Sequence, residues 1–306
     1  MLRVLIIETS KVSTNTTIAH VRNSIILQKY LAKLCICQLV DIDTDVDASE
    51  QWDIILFSYA GARSNFSKVE SLLDNQKNAK VGWLTNEFEL FANDFVKKRM
   101  TFMINNFDEA AIKKAHRHDQ LLTTNLNTLI ARPRNRTVFK KYGACYYGTY
   151  RKYREIYFKK YLQENMLLST TKKNFKRFMD IGCDCLATDK FSWREGSETL
   201  NLFGGSLYIE DTKTHKYFNY MANRFFEGLY CNTPVYFDKS CSNTIVKDMY
   251  YVSDYFTIDS LSELEEKIKN PDLNEIQRFL STNTDVALRE KQMALNDITT
   301  FLFGLT

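Results

Sequence analysis

Asp53-Ile54-Ile55-Leu56-Phe57-Ser58 is apolar at each of its four central positions. A strand with one wet face alternates polar and apolar residues, so an unbroken apolar run of strand length implies burial on both faces. Leu2-Arg3-Val4-Leu5-Ile6-Ile7-Glu8 reads the same way, as does the shorter run over 80–84. Between these runs the period changes, and residues 18–34 and 68–75 carry helical spacing. Strands buried on both faces and separated by helices predict a parallel sheet with helices on either side. Strand-like pieces over 35–42, 101–104 and 120–124 complete it.

At Ile130-Ala131-Arg132-Pro133-Arg134-Asn135-Arg136 the hydrophobic pattern stops and one of only three prolines appears, which reads as a linker. Beyond it the alternation resumes. Strands are expected over 144–147, 166–170, 206–210 and 234–237, with a short one ending at Asp259, and helices over 151–162, 222–230 and 261–269. Residues 273–305 are helix-compatible after a start signal at Pro271. The fold class expected is α/β, two Rossmann-like domains over 1–138 and 139–284 facing each other across a cleft. Residues 285–306 are expected as a helix returning towards the first domain.

Composition narrows the classes. A chain of 306 residues, 44% hydrophobic and 25% charged, suits two globular domains and excludes disorder as the default. No run of about 18 apolar residues predicts a membrane span. The N-terminal residues enter a strand pattern without a signal-peptide core, and seven scattered cysteines suit a reducing compartment. A cytoplasmic monomer is expected. The Cys-x-Cys pairs Cys35/Cys37 and Cys183/Cys185 lack the usual Cys-x-x-Cys zinc spacing and read as buried thiols. The net charge of +4 is small but uneven: residues 132–177 hold fourteen Lys and Arg against only Glu155 and Glu164. That predicts an anionic partner, the alternative being a solvated basic face.

In parallel sheets ligands bind beyond the carboxyl ends of strands. Ala144-Cys145-Tyr146-Tyr147-Gly148-Thr149-Tyr150-Arg151-Lys152-Tyr153-Arg154 is a strand leading through a glycine into a basic helix start. Gly148 allows close backbone approach and Thr149 offers a hydroxyl. Arg151 and the helix N-terminus supply donors for a diphosphate. A second candidate is the helix after Ala222, with Asn223 as its N-cap and Arg224 and Glu227 three residues apart on one face. A carboxylate there can accept two ribose hydroxyls while an arginine one turn earlier meets a phosphate. Alternatively the two form an ordinary i,i+3 ion pair.

The run Asn223-Arg224-Phe225-Phe226-Glu227-Gly228-Leu229-Tyr230-Cys231-Asn232-Thr233-Pro234-Val235, followed by Asp259 and a helix from Leu261, resembles the R-F-x-E-x-x-x-x-G-x-P-V … D-x-x-x-L pattern of GT-B glycosyltransferases. Its texture is similar to phage enzymes that attach sugars to hydroxymethylated pyrimidines in DNA and to spore-protein-like glycosyltransferases. Asn232 stands where the family has Gly, and is the next-best residue for a left-handed helix end. The resemblance implies a GT-B fold with an N-terminal acceptor-binding domain and a C-terminal domain for a nucleotide sugar, a UDP-sugar. It places Glu227 on the ribose, Arg224 and Arg151 on the phosphates, Gly148 and Thr149 in the diphosphate loop, and Arg154, Asn223 and His215 at the donor.

On the acceptor side the candidate base for an inverting transfer is Glu87, which follows a buried strand, the alternative being an acid that starts the next helix. Ser10 and Arg63, in loops after the first and third strands, are candidate acceptor contacts. His116 and His118 sit among Lys and Arg and read as basic surface. Asp41-Ile42-Asp43 mimics an Asp-x-Asp metal motif outside the donor half, so no metal is required. The expected partners are a nucleotide sugar and double-stranded DNA carrying modified bases. A polysaccharide, protein or small-molecule acceptor, or a non-catalytic nucleotide or nucleic-acid binding module, are the other readings these residues allow.

Overall fold

The apolar runs are interior strands of two separate parallel sheets. The computed structural model describes residues 1–8, 19–41, 47, 49–58, 67–85, 98–106, 120–133, 140–193, 198–210, 220–247 and 249–306. It divides into a first unit, Met1–Ile130 with Arg289–Thr306, and a second unit, Ala131–Leu288.

The first unit contains β1 (Arg3–Glu8), α1 (Ala19–Leu31), β2 (Ile36–Asp41), β3 (Ile54–Ser58), α2 (Ser67–Asn75), β4 (Lys80–Thr85), β5 (Met100–Asn105) and β6 (Gln120–Thr123). The sheet order is β2-β1-β3-β4-β5-β6, every pair parallel. Successive residues of a strand feed opposite faces. Leu5, Ile7, Ile55 and Phe57 pack with Trp52, Leu73 and Met103, while Val4, Ile6, Ile54 and Leu56 pack with Leu27 and Leu31 of α1 and with Leu295, Ile298 and Leu302. Edge strand β2 is the one that alternates exposed and covered residues.

The second unit contains β7 (Tyr142–Tyr147), α3 (Glu155–Tyr161), β8 (Leu167–Ser169), α4 (Lys172–Asp180), β9 (Leu186–Thr188), β10 (Phe203–Tyr208), α5 (Asn223–Tyr230), β11 (Val235–Asp238), α6 (Ser242–Lys247), β12 (Thr257–Ile258) and α7 (Leu261–Lys269). Helix α8 (Leu273–Gly304) begins in this unit and ends in the first. The order β12-β11-β10-β7-β8-β9 means that the chain leaves β7 on one side and returns to β10 on the other. The two sheets give the α/β, double-Rossmann architecture expected of the sequence. No helix of the described residues is long and apolar enough to cross a membrane.

Three elements went unanticipated: α4, β9 and α6. Helix α4 has a short apolar set, Phe175, Phe178 and Met179, inside a basic run and buries only Phe178, while all three residues of β9 are exposed, so β9 leaves no hydrophobic period to read. The helix expected over 151–162 begins instead with a 3-10 turn, Lys152–Arg154, and becomes α-helical at Glu155.

Candidate functional site

The carboxyl ends of β7 and β10 are neighbours whose onward connections diverge, the switch point at which open parallel sheets hold ligands. β7 runs into Gly148, whose φ of +144° belongs to a region that L side chains rarely adopt. A Cβ there would lie 3.1 Å from Nη2 of Arg224. Glycine thus serves both the turn and the close passage of a guanidinium over the backbone.

Arg224, in the first turn of α5, crosses from helix to strand ends. Its Nη2 donates to the Tyr147 carbonyl at 3.0 Å, and its Nη1 to Oε1 of Glu210 at 3.1 Å. Nη2 of Arg154 donates to the other Glu210 oxygen at 2.5 Å. Glu210 follows β10 directly; its side chain is 4% exposed and those of both arginines 11%. One buried carboxylate therefore holds two guanidiniums at the switch point. Burial alone would lower the Arg224 pKa, but the acidic groups around it, Tyr146 and Glu210, outweigh burial and raise it. The guanidinium also lies 4.7 Å above the Tyr146 ring, a cation–π contact. Arg224 Nε, the Tyr146 hydroxyl and Asn223 Oδ1 are buried without hydrogen-bond partners, which is unusual for interior polar atoms and marks places a polar ligand can satisfy.

Glu227 lies one turn further along α5, buried. Burial first, and then the Glu227 carboxylate, push the Tyr147 hydroxyl well above its ordinary pKa, and that hydroxyl donates to the Arg224 carbonyl at 3.2 Å. Helix α5 is seated hard on β11, since a Cβ on Gly228 would fall 2.3 Å from Val235 Cγ2. Its end is fixed by Asn232, with φ of +51°, and by the Thr233 N–H donating to the Gly228 carbonyl at 2.9 Å. Lys140 adds an ammonium clamp: its Nζ donates to the carbonyls of Asn201 and Asn232 at 2.9 and 2.8 Å and to the Thr233 hydroxyl at 3.3 Å. Burial pulls its pKa down to about 8.

The structure brings Gly148, Arg154 and Arg224 together and puts Glu227 beside Tyr147. Three readings are corrected. The N-cap of α5 is Ala222, which makes no side-chain cap bond, and Asn223 is the first helical residue. Arg151 is exposed and extended ahead of the 3-10 turn, so no α-helix N-terminus begins there. Thr149 is exposed. The acid paired with Arg224 is Glu210, not Glu227. Sequence reading missed Glu210, because its value depends on β10 lying beside β7, and strand order is not written in the local pattern. Glu87, Ser10, Arg63, His215, His116 and His118 lie outside the described residues. Six of the seven cysteines are buried free thiols and Cys37 is partly buried. No group of three His, Cys, Asp or Glu among the described residues could hold a metal ion.

The paired sheets and the switch-point site define a class, the GT-B fold. Particular structures sharing it include T4 phage BGT in complex with UDP and Mn2+, with a TM-score of 0.71 at 16% identity over 99% of each chain. The DNA-modifying enzyme β-glucosyltransferase, solved with and without uridine diphosphoglucose, gives 0.71 at 15% over 99% of each. T4 phage BGT with its UDP-glucose substrate gives 0.70 at 15% over 98% of each. At these identities the likeness is one of fold. No family model matches the chain, and no curated protein matches its sequence.

Proposed function

We propose that the chain is a glycosyltransferase that moves a sugar from a UDP-sugar to a hydroxymethylated pyrimidine of double-stranded DNA. The observation that carries the donor half is the buried Arg154–Glu210–Arg224 cluster beside Gly148 at the switch point. In the reaction, the acceptor hydroxyl oxygen bonds to the sugar's anomeric carbon, the bond from that carbon to the diphosphate breaks, and the electron pair leaves on the diphosphate. Arg224 and Arg154 stabilise that departing charge in a site that excludes much of the water. Exposed Thr149 and Arg151, with His215, complete the phosphate contacts, and Glu227 accepts hydrogen bonds from the ribose hydroxyls. In an inverting transfer Glu87 takes the acceptor's proton, with Ser10 and Arg63 on the acceptor. Support for the DNA acceptor is the fold shared with the T4 phage β-glucosyltransferase, a DNA-modifying enzyme.

The test is incubation with a panel of nucleotide sugars and with hydroxymethylated or plain duplex DNA, followed by mass measurement of the bases. One glycosyl increment is expected on the modified base alone. Glu227→Ala removes hydrogen bonds to a charged group, about 2 kcal/mol or roughly 30-fold in donor affinity. Glu87→Gln slows transfer by about 100-fold or more while UDP binding persists. An inert panel, with Glu227→Ala binding UDP as the parent does, refutes the catalytic reading. Mass appearing only on another acceptor refutes the DNA reading alone.

A further inference from the structure

The basic run over 132–177 is divided by the structure into two populations. Arg132 pairs with Glu198, Arg154 with Glu210, and Lys160 with Asp238 and Asp259, while Lys140 is spent on carbonyls. Among the other described cations, besides exposed Lys141 and Lys159, six stay in solvent: Lys172, Lys173, Lys176 and Arg177 on α4, with Arg151 and Lys152 directly after Tyr150. None of these six forms an ion pair among the described residues.

Stability does not explain the lysines among them. The first turn of α4 contains no acid, and lysines at a helix's positive end work against its dipole. Lys172/Lys176 and Lys173/Arg177 are like charges at i,i+4 spacing, each pair unfavourable by a few tenths of a kcal/mol. The helix is nonetheless bolted to the donor loop. Asn174 Oδ1 accepts from the Tyr150 N–H at 3.3 Å, the Arg177 guanidinium lies 4.8 Å above the Tyr150 ring, and the Thr170 hydroxyl donates to the Gly148 carbonyl at 2.6 Å.

We infer that the exposed face of α4 is a docking surface for the phosphate backbone of double-stranded DNA, set beside the Gly148 loop to hold the acceptor duplex. The inference rests on the DNA-acceptor reading above. A donor diphosphate is already matched by the buried guanidiniums of Arg154 and Arg224 with Arg151 beside them, so the exposed cations of α4 fit a longer polyanion. Lys172 and Lys176 are one turn apart, about 6 Å along the helix, a spacing on the scale of neighbouring phosphates of a duplex backbone.

The test uses the full chain and a fluorescent duplex, with anisotropy followed from about 50 to 300 mM salt. Each lost phosphate contact lowers the slope of log affinity against log salt by about 0.9. The triple variant Lys172→Gln, Lys173→Gln, Lys176→Gln is expected to lose about two to three units of slope and to bind at least 10-fold more weakly near 100 mM salt. UDP affinity stays at the parental value, the melting temperature does not fall, and the corresponding triple Lys→Arg variant keeps DNA binding. An unchanged slope overturns the surface, as does a parent that binds no duplex, or a triple variant that loses binding to anionic phosphatidylserine vesicles but not to DNA. Salt-dependent binding lost in the variant, with no sugar transferred by the parent, upholds the surface while refuting the activity. Transfer with an unchanged KM for DNA in the variant does the reverse.

Discussion

Glu210→Ala is the perturbation that most directly interrogates the site. The carboxylate holds Arg154 at 2.5 Å and Arg224 at 3.1 Å, with all three side chains nearly enclosed. Removing it takes from both guanidiniums the carboxylate that they share. Deleting one partner of a buried ion pair costs about 3–5 kcal/mol, and the rim's access to water argues for about 3. For a unit of this size each kcal/mol lowers the melting point by about 2–4 °C, so a fall of roughly 6–12 °C is expected for the second unit's transition. A diphosphate resting on the same guanidiniums supplies the missing charge. UDP at about 100 times its Kd is worth about 2.7 kcal/mol to a protein that binds it only when folded, and it should raise the variant's midpoint at least as much as the parent's. Calorimetry with and without UDP reads both quantities. A variant melting within about 2 °C of the parent refutes the buried-pair argument; a UDP shift lost in the variant refutes the overlap of diphosphate and carboxylate.

Gly148→Ala forces a side chain into a positive-φ conformation, at about 1–3 kcal/mol, and presses on Arg224 Nη2 at 3.1 Å. UDP affinity by titration calorimetry should drop about 10-fold, and parental affinity would show that the close passage is dispensable. Lys140 titrates at about 8 when folded, because burial disfavours its charge. Between that pH and its ordinary value the unfolded chain binds more protons, so this residue makes stability rise with pH. The denaturant midpoint of the parent relative to Lys140→Met should therefore climb from about pH 7.5 to about 9.5, and a flat difference contradicts it.

The strands were readable because burial on both faces leaves a continuous apolar run, as in Ile54–Ser58, where every residue is buried. Helix α5 was readable for a different reason: Asn232 and Pro234 bracket its end, and Asn232 takes the left-handed φ its position demands. What stayed hidden depends on neighbours distant in sequence. Glu210 looks like any acid in a polar loop until β10 is placed beside β7. Lys140 looks like one more member of a basic run until Asn201 and Asn232 surround its ammonium. Asn223 resembles an N-cap by residue type, yet the extended residue is Ala222, with φ of −67° and ψ of 160°. Propensity offers a cap; the chain's path decides which residue takes it.

The packing of α8 also orders events during synthesis. Ala294, Leu295, Ile298 and Leu302 cover the sheet face formed by Val4, Ile6, Ile54 and Leu56, and the Phe301 ring meets Phe102 at 5.8 Å. The second unit is one uninterrupted stretch, Ala131–Leu288, whereas the first is assembled from both sides of it. A ribosome adding about 5–20 residues per second takes roughly 10–30 s to travel from the end of the first sheet's segment to the helix that covers it. During that interval the earlier-made sheet keeps an apolar face open to water or to a chaperone, while the later-made unit is free to close first.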